Sequence, residues 1–132
     1  MSAPVVTIQP GFVQDNLQRS QMFTGQLTIG PANATYPAGG IPIYQALLAA
    51  LFPTTNDPVP HYVELHSTRG TGYIYTYIKS TGCMMILQVP PSGSLTTAAP
   101  LQELPSSANS LSEIATLDVI AFKIMWRRNA SG

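Results

Sequence analysis

Two histidines and a glutamate, side chains well suited to binding a metal ion, lie close together in the segment HYVELHS at residues 61–67. Alternating apolar and polar residues predict a β-strand here, and successive side chains of a strand point to opposite faces. Glu64 and His66 would therefore share one face, whereas His61 would lie on the other. Three ligands cannot converge on one ion in that arrangement, so we predict a solvated polar face and no metal site.

Other residue patterns that support catalysis are not found in the sequence either. A nucleophilic serine or cysteine needs a histidine that a third group orients, and no strand-to-helix G-x-S-x-G turn occurs. The six acidic residues are scattered, which does not favour the paired carboxylates of a glycosidase. Gly39 and Gly40 form an isolated glycine turn with no phosphate-binding helix directly after it. We therefore predict a non-enzymatic protein without a cofactor.

The chain of 132 residues is poor in charge: 9% of its residues are charged and 45% are hydrophobic. An ordinary soluble domain has about 25% charged residues. Six basic residues balance six acidic ones, and the longest basic run is Arg127 and Arg128, so we expect no nucleic-acid partner. Because isolated soluble domains rarely expose large apolar patches, we expect other subunits to cover part of this surface.

The single cysteine and the hydropathy pattern indicate the cellular compartment in which the protein is made. Cys83 lies in the apolar run CMMILQV, which predicts a buried free thiol in a reducing environment. No run reaches the roughly 18 apolar residues of a membrane helix. The N-terminus lacks the basic and apolar regions of a signal peptide. We expect synthesis in a cytoplasm and no membrane partner.

The spacing of strand and turn signals predicts the fold class. Short alternating segments separated by turn residues indicate an all-β protein, an antiparallel β-sandwich of jelly-roll-like type. The clearest predicted strands cover residues 21–30, 61–67, 72–79, 83–89 and 116–128. Segment 44–52, rich in alanine and leucine, predicts one short helix. A capping box at residues 110–113 predicts a single helical turn.

The N-terminal segment differs from the rest of the chain. The apolar run VVTI lies between Pro4 and Pro10, and proline cannot donate a hydrogen bond to a sheet, so this run predicts an edge strand or an extended arm. We divide the chain into an N-terminal arm at residues 1–20 and a β-sandwich domain at residues 21–132. Gly25, inside the next predicted strand, indicates a bulge.

The strand at 72–79 could bury either of its faces. If Ile74, Thr76 and Ile78 point into the core, then Tyr73, Tyr75 and Tyr77 form an exposed aromatic stripe. Tyrosine is favoured at interfaces because its ring is apolar while its hydroxyl can stay hydrated. Tyrosines are also good strand formers and could line the core of a second sheet. The sequence leaves both arrangements open.

Four segments of the chain resemble a known family. YPAGGIPI (36–43), HYVELHSTRGTGYIYTYI (61–78), PLQELPSS (100–107) and DVIAFKIMWRR (118–128) are similar to patterns in the head decoration, or cement, proteins of tailed bacteriophages. The likeness covers most of the chain but consists of strand and turn patterns. Segments 45–58 and 14–21 have no counterpart in the family pattern.

The resemblance implies a structural role in a virion. Proteins of this family are β-sandwiches that bind the outside of the mature capsid, often as dimers or trimers, and clamp neighbouring major capsid subunits. By this resemblance the chain would be a homo-oligomer on the capsid exterior, with the major capsid protein as its partner. Tyr73, Tyr75 and Tyr77 would then contact a sister subunit or the shell, and an arm containing Val5, Val6 and Ile8 would add a strand to a neighbour's sheet.

Two other functions remain open at this level. One is a different virion β-module, associated with the tail, the head closure or a fibre. The other is a carbohydrate-binding sandwich that uses the tyrosine stripe as a sugar platform.

Overall fold

The computed structural model describes residues 3–16, 20–44, 60, 62–89 and 101–127. Its strands are β1 (Val5–Ile8), β2 (Val13–Asn16), β3 (Ser20–Gly30), β4 (Ile41–Pro42), β5 (Tyr62–Ser67), β6 (Ile74–Ile78), β7 (Cys83–Gln88), β8 (Gln102–Glu103) and β9 (Ile120–Arg127). One short helix, α1 (Ser112–Leu117), lies between β8 and β9. The strands form two antiparallel sheets around a shared core, which confirms the predicted all-β sandwich. The jelly-roll-like connection stays a prediction.

The first sheet has the order β1–β3–β9–β5, and β2 pairs with β3 beside β1. Residues 5–8 and 13–16 were expected in an arm, but they form the edge of this chain's own sheet. Ile8 lies opposite Leu27, and Val13 lies opposite Thr24. Val6 and Ile8 pack against the core. This burial stabilises the segment as a strand of its own sheet relative to an arm that projects away from the domain. The prediction of an edge strand is therefore confirmed for residues 5–8, and the alternative of an extended N-terminal arm is wrong for residues 5–8 and 13–16.

Gly25 accommodates two aromatic side chains without interrupting β3. The pairing of β3 with β9 runs unbroken from Ser20 to Leu27, so the predicted bulge is not in β3. Instead the neighbouring edge is broken, because residues 9–12 lie opposite only Gly25 and Gln26. A Cβ on Gly25 would lie 2.8 Å from the Phe12 Cβ and 2.9 Å from the Phe122 Cζ. Glycine is thus required by the close approach of these two side chains.

The second sheet has the order β4–β7–β6, and β8 pairs with β7 beside β4. β4 and β8 leave a gap along the edge of β7, and the Tyr36 hydroxyl fills it. This hydroxyl accepts a hydrogen bond from the Ile86 N–H at 3.3 Å and donates one to Glu103 Oε1 at 2.7 Å. The Ile86 carbonyl accepts the Leu104 N–H at 2.9 Å. The backbone of β7 is therefore satisfied where no strand pairs with it.

The core lies between the two sheets and includes residues from both. Ile120, Phe122 and Ile124 of β9 are buried, which confirms the predicted apolar face of this strand. The largest fully buried side chains are Tyr36, Phe23, Leu27, Ile29, Ile41, Ile43, Met84, Ile86, Leu111 and Ile114.

The helix α1 confirms the helical turn predicted near residues 110–113, but its start differs. Its N-cap is Leu111, and no side chain caps it. The Ser110 hydroxyl, expected to cap the helix, instead accepts the Tyr36 N–H at 2.8 Å. The capping-box prediction is therefore wrong. The predicted helix at 44–52 lies, except for Tyr44, outside the described residues.

Candidate interaction surfaces

The tyrosines of β6 point into the molecule. Tyr75 is only 5% exposed, and Tyr73 and Tyr77 are partly buried and pack against the core. Ile74, expected in the core, is 45% exposed. The prediction of an exposed tyrosine stripe is therefore wrong, and the alternative that the tyrosines line the core of the second sheet is confirmed. Their rings are already packed within the chain.

A buried carboxylate explains this choice of face. Asp118, which lies between α1 and β9, is 4% exposed. Its Oδ2 accepts hydrogen bonds from the Tyr75 hydroxyl at 2.5 Å and the Thr71 hydroxyl at 2.9 Å. Its Oδ1 accepts the Ser67 hydroxyl at 2.8 Å and the Val119 N–H at 2.9 Å. Burial of the tyrosine face gives Tyr75 a charged acceptor that the opposite face could not reach.

The electrostatics of this cluster favour a structural role. Burial alone would raise the pKa of Asp118, but the hydrogen bonds from Tyr75, Ser67, Thr71 and the Val119 N–H outweigh it, so the pKa is lowered. Burial and the bond to Asp118 raise the pKa of Tyr75. A carboxylate that already accepts four hydrogen bonds has little capacity left to act as a base. We conclude that the Asp118 cluster joins the two sheets.

The Asp118 cluster was not predicted from the sequence. A charged residue near the start of the apolar strand predicted at 116–128 is a weak signal that could have drawn attention to Asp118. Its partners Ser67 and Tyr75 are 51 and 43 residues away in the sequence, so the sequence alone does not place them together.

Glu103 of β8 lies opposite Leu87 on the outer side of the second sheet, but the outer face of β6 and β7 themselves carries no charged side chain. We call it the β6–β7 face, and it consists of Ile74, Thr76, Ile78, Cys83, Met85 and Leu87. These side chains form three cross-strand pairs, Ile74 with Leu87, Thr76 with Met85, and Ile78 with Cys83. Val89 and Leu101, which flank the ends of β7 and β8, are 69% and 45% exposed. Side chains of this kind are usually buried, so the β6–β7 face is a candidate contact surface.

Cys83 belongs to this face. Its side chain is partly exposed, so the prediction of a buried thiol is wrong, while the prediction of a free thiol is confirmed. The thiol makes a weak hydrogen bond of 3.6 Å to the Thr81 carbonyl. The next residue, Met84, points to the core and is fully buried, because successive side chains of a strand alternate.

Exposed apolar side chains also lie along the edge of the first sheet. We call this the N-terminal edge, and it consists of Val5, Phe12 and Val13. Val5 and Val13 lie on the outer face, where Asp15 is next to Val13, whereas the Phe12 ring packs against Phe23. Of the three N-terminal residues predicted for an interface, Val5 lies on this surface. Val6 and Ile8 pack against the core instead. The apolar character of the segment predicted an interface role for Val5, Val6 and Ile8 alike. It did not show which of these side chains face outward.

The remaining predicted cluster lies on the outer face of the first sheet. Glu64 and His66 are exposed and share this face, as predicted, and His61 lies outside the described residues. Glu64 Oε2 accepts the Tyr62 hydroxyl at 2.6 Å and lies opposite Lys123 in the β5–β9 pairing. Within the described residues, no three His, Cys, Asp or Glu side chains are grouped so that they could hold a metal ion.

Among the described residues, the two apolar surfaces are the features most typical of a binding interface. They lie on different sheets, and each has one carboxylate beside it, Asp15 next to Val13 and Glu103 opposite Leu87. No helix in the described ranges is long and apolar enough to cross a membrane. No protein-family model, no curated protein and no solved structure matches the chain.

Proposed function

We propose that this protein is a non-enzymatic structural component of a bacteriophage virion. It binds the outer surface of the mature capsid and stabilises the shell by bridging major capsid subunits. The supporting observation is the pair of apolar surfaces, the N-terminal edge on one sheet and the β6–β7 face on the other. A bridging protein needs two separate contacts, and a chain with 9% charged residues is suited to remain covered by its neighbours.

The proposed mechanism is binding without turnover. A protein that binds only the mature shell lowers the free energy of that shell by its binding free energy, so the shell withstands more heat or stress. The cores of protein interfaces are depleted in charged residues and their rims are polar. The side chains of both apolar surfaces are uncharged, and Asp15 and Glu103 lie beside them. The Asp118 cluster supports the same role because it holds the two sheets, and so the two surfaces, together.

The N-terminal edge suits side-chain contact better than strand addition. Pro10 cannot donate a hydrogen bond, and the edge is broken at residues 9–12. Interrupted edges with proline resist pairing with a strand from another chain. We therefore propose that Val5 and Val13 contact the shell through their side chains, in place of the strand addition that the resemblance implied.

The test is binding of the purified protein to expanded capsids that lack it. We expect the protein to cosediment with these capsids and to raise their melting temperature. Val13→Lys should weaken binding because it places a charge in an apolar contact. Leu117→Lys is the matched control, since Leu117 is 58% exposed and Val13 is 54% exposed, but Leu117 lies outside both surfaces.

Two results would contradict the proposal. Failure to bind capsids, together with attachment to isolated tails, would favour another virion module. Binding to a glycan array and to no virion part would favour carbohydrate recognition. The latter function would need a platform other than the one first predicted, because Tyr75 is buried and its hydroxyl is bonded to Asp118.

A further inference from the structure

Tyr77 differs from the other two tyrosines of the 72–79 segment because its hydroxyl is unsatisfied. The Tyr75 hydroxyl donates to Asp118, and the Tyr73 hydroxyl donates to Glu113. The Tyr77 oxygen is buried but has no hydrogen-bond partner within the part of the chain that the structure describes. Buried polar groups are nearly always paired, because an unpaired one has lost its bonds to water without replacement. This hydroxyl is therefore available to a bound molecule.

Two small pockets share Tyr77 and Lys79, which line both of them. The first has a volume of about 170 Å³ and is also lined by Tyr44 and the turn at residues 80–82. The second has a volume of about 210 Å³ and is also lined by Tyr62 at the start of β5. Because β5 belongs to the first sheet and β6 to the second, the second pocket lies between the two sheets. Neither pocket is part of the N-terminal edge or of the β6–β7 face.

The turn after β6 holds the tyrosines of the first pocket in place. Gly82 has a φ of 70°, which favours glycine. A Cβ there would lie 2.9 Å from the Tyr44 Cβ and 3.9 Å from the Tyr77 hydroxyl oxygen. The Gly82 carbonyl accepts the N–H groups of Ile43 and Tyr44, each at 3.2 Å. The backbone therefore positions this pocket before any ligand binds.

The residues that line the two pockets determine the charge of a suitable ligand. Lys79 is exposed and is the one charged residue among them, so the pockets favour an anion. A single cation matches a singly charged group. Phosphate sites typically use arginine, and no arginine lines these two pockets. The lining therefore favours a carboxylate over a phosphate.

The rest of the lining favours an apolar body on that ligand. Tyr44 and Tyr62 contribute aromatic rings, and Pro60 and Val63 contribute aliphatic surface. Small-molecule sites commonly combine such apolar surface with a few well-placed polar groups. The pockets are smaller than the roughly 300 Å³ of a site for a drug-sized molecule, so the ligand must be small.

We propose that Tyr77 and Lys79 bind a small organic carboxylate with a flat apolar body, such as an aromatic acid. The Tyr77 hydroxyl donates to the carboxylate, the Lys79 ammonium balances its charge, and the ring packs on the neighbouring tyrosines. Binding satisfies the hydroxyl that the fold leaves unpaired. The site is independent of the proposed structural role, because its residues belong to neither apolar surface.

An NMR titration of the full chain with benzoate tests this proposal. The N–H signals of Lys79 and Gly82 should shift with a dissociation constant on the order of 1 mM, since the ligand is small and the lysine is exposed. Benzamide has nearly the same shape without the charge and is the matched control ligand. It should bind at least about tenfold more weakly, because hydrogen bonds to charged groups are stronger. Equal affinities for the two ligands would overturn the assignment of a carboxylate.

Three variants separate binding from folding. Tyr77→Phe removes a hydroxyl that has no partner among the described residues, so its denaturation midpoint should equal or exceed that of the wild type. Its affinity for benzoate should fall about tenfold. Lys79→Gln should weaken binding about threefold. Lys123→Gln is the matched control, because Lys123 is the other lysine of the chain, is exposed and lines neither pocket, and this variant should bind benzoate like the wild type.

Two further results would overturn the proposal. Absence of any shift at benzoate concentrations roughly tenfold above the expected dissociation constant would exclude the site. A Tyr77→Phe variant that is destabilised and still binds benzoate like the wild type would show that the hydroxyl has a structural partner, such as a buried water. Either result would leave the proposed capsid role in place, because that role depends on other residues.

Discussion

The Tyr75 hydroxyl of the second sheet donates a 2.5 Å hydrogen bond to Asp118, which is separated by Val119 from the start of β9 in the first sheet. This bond helps to determine which face of β6 is buried. With Tyr75 turned inward, Ile74 must point outward, because adjacent side chains in a strand alternate. The outward orientation of the β6–β7 face, on which Ile74 is exposed and the other side chains are partly buried, and the buried Asp118 cluster are therefore two consequences of one orientation.

The first prediction concerns the carboxylate itself. Asp118→Asn replaces an acceptor oxygen by an amide that cannot accept the donors now facing it. We expect the free energy of unfolding to fall by about 2–4 kcal/mol, measured by urea denaturation. Asp15→Asn, which changes an exposed carboxylate, should cost less than about 0.5 kcal/mol. Equal effects of the two changes would mean that Asp118 does not join the sheets.

The second prediction compares two tyrosines of the same strand. Tyr75→Phe removes a buried donor to a carboxylate, so we expect a loss of about 1.5–3 kcal/mol in unfolding free energy. Tyr73→Phe removes an exposed hydrogen bond to Glu113 and should cost less than about 1 kcal/mol. A larger loss of unfolding free energy for Tyr73→Phe than for Tyr75→Phe would show that the Tyr73 hydrogen bond contributes more to stability. It would contradict the conclusion that Tyr75 helps to determine which face of β6 is buried.

The third prediction concerns acid stability. Burial would raise the pKa of Asp118, but its hydrogen bonds more than compensate, so the folded pKa lies below the ordinary 3.8. The unfolded chain then binds this proton more readily. The stabilisation is complete above the unfolded pKa and is lost as the pH falls through the folded pKa.

We therefore expect the unfolding free energy of the wild type to fall more steeply from about pH 5 to pH 2 than that of Asp118→Asn. The difference in slope should approach, at most, about 1.4 kcal/mol per pH unit, which corresponds to one proton. Urea denaturation across this range measures both slopes. Parallel curves would show that Asp118 has no part in the acid response.

The fourth prediction concerns the close approach at Gly25. A methyl group there would meet Phe12 and Phe122 at less than 3.0 Å, so Gly25→Ala should lower the unfolding free energy by about 1–3 kcal/mol. Gly30 lies in the same strand and has open space around its Cβ position. Gly30→Ala is thus the control, with an expected change below about 1 kcal/mol. A neutral Gly25→Ala would mean that Phe12 does not pack there.

The sequence predicted most of the strands because their alternation is a local property. Ile120, Phe122 and Ile124 alternate with polar or smaller residues, so the buried face of β9 could be assigned from the sequence. For β6, both faces are apolar, and hydropathy does not distinguish Tyr75 from Ile74. The orientation depends on Asp118, whose distance of 43 residues in the sequence conceals the contact.

The same limit applies to the N-terminal segment and to Ser110. The run VVTI is apolar enough for a docked strand or for an arm, and only the pairing with β3 distinguishes the two. Ser110 matches a capping motif locally, but its hydroxyl accepts the Tyr36 N–H from a distant part of the chain. For the run VVTI and for Ser110, a contact with a distant part of the chain determined the structure, and the local sequence pattern did not.

The position of β9 has a consequence for how the protein is made. β9 lies between β3 and β5 in the first sheet, yet the ribosome synthesises it long after both of them. Until β9 is synthesised, the facing edges of β3 and β5 lack the strand that pairs with both. Shortening the chain before residue 120 would therefore remove the centre of the sheet, and the product should be degraded or aggregate during translation.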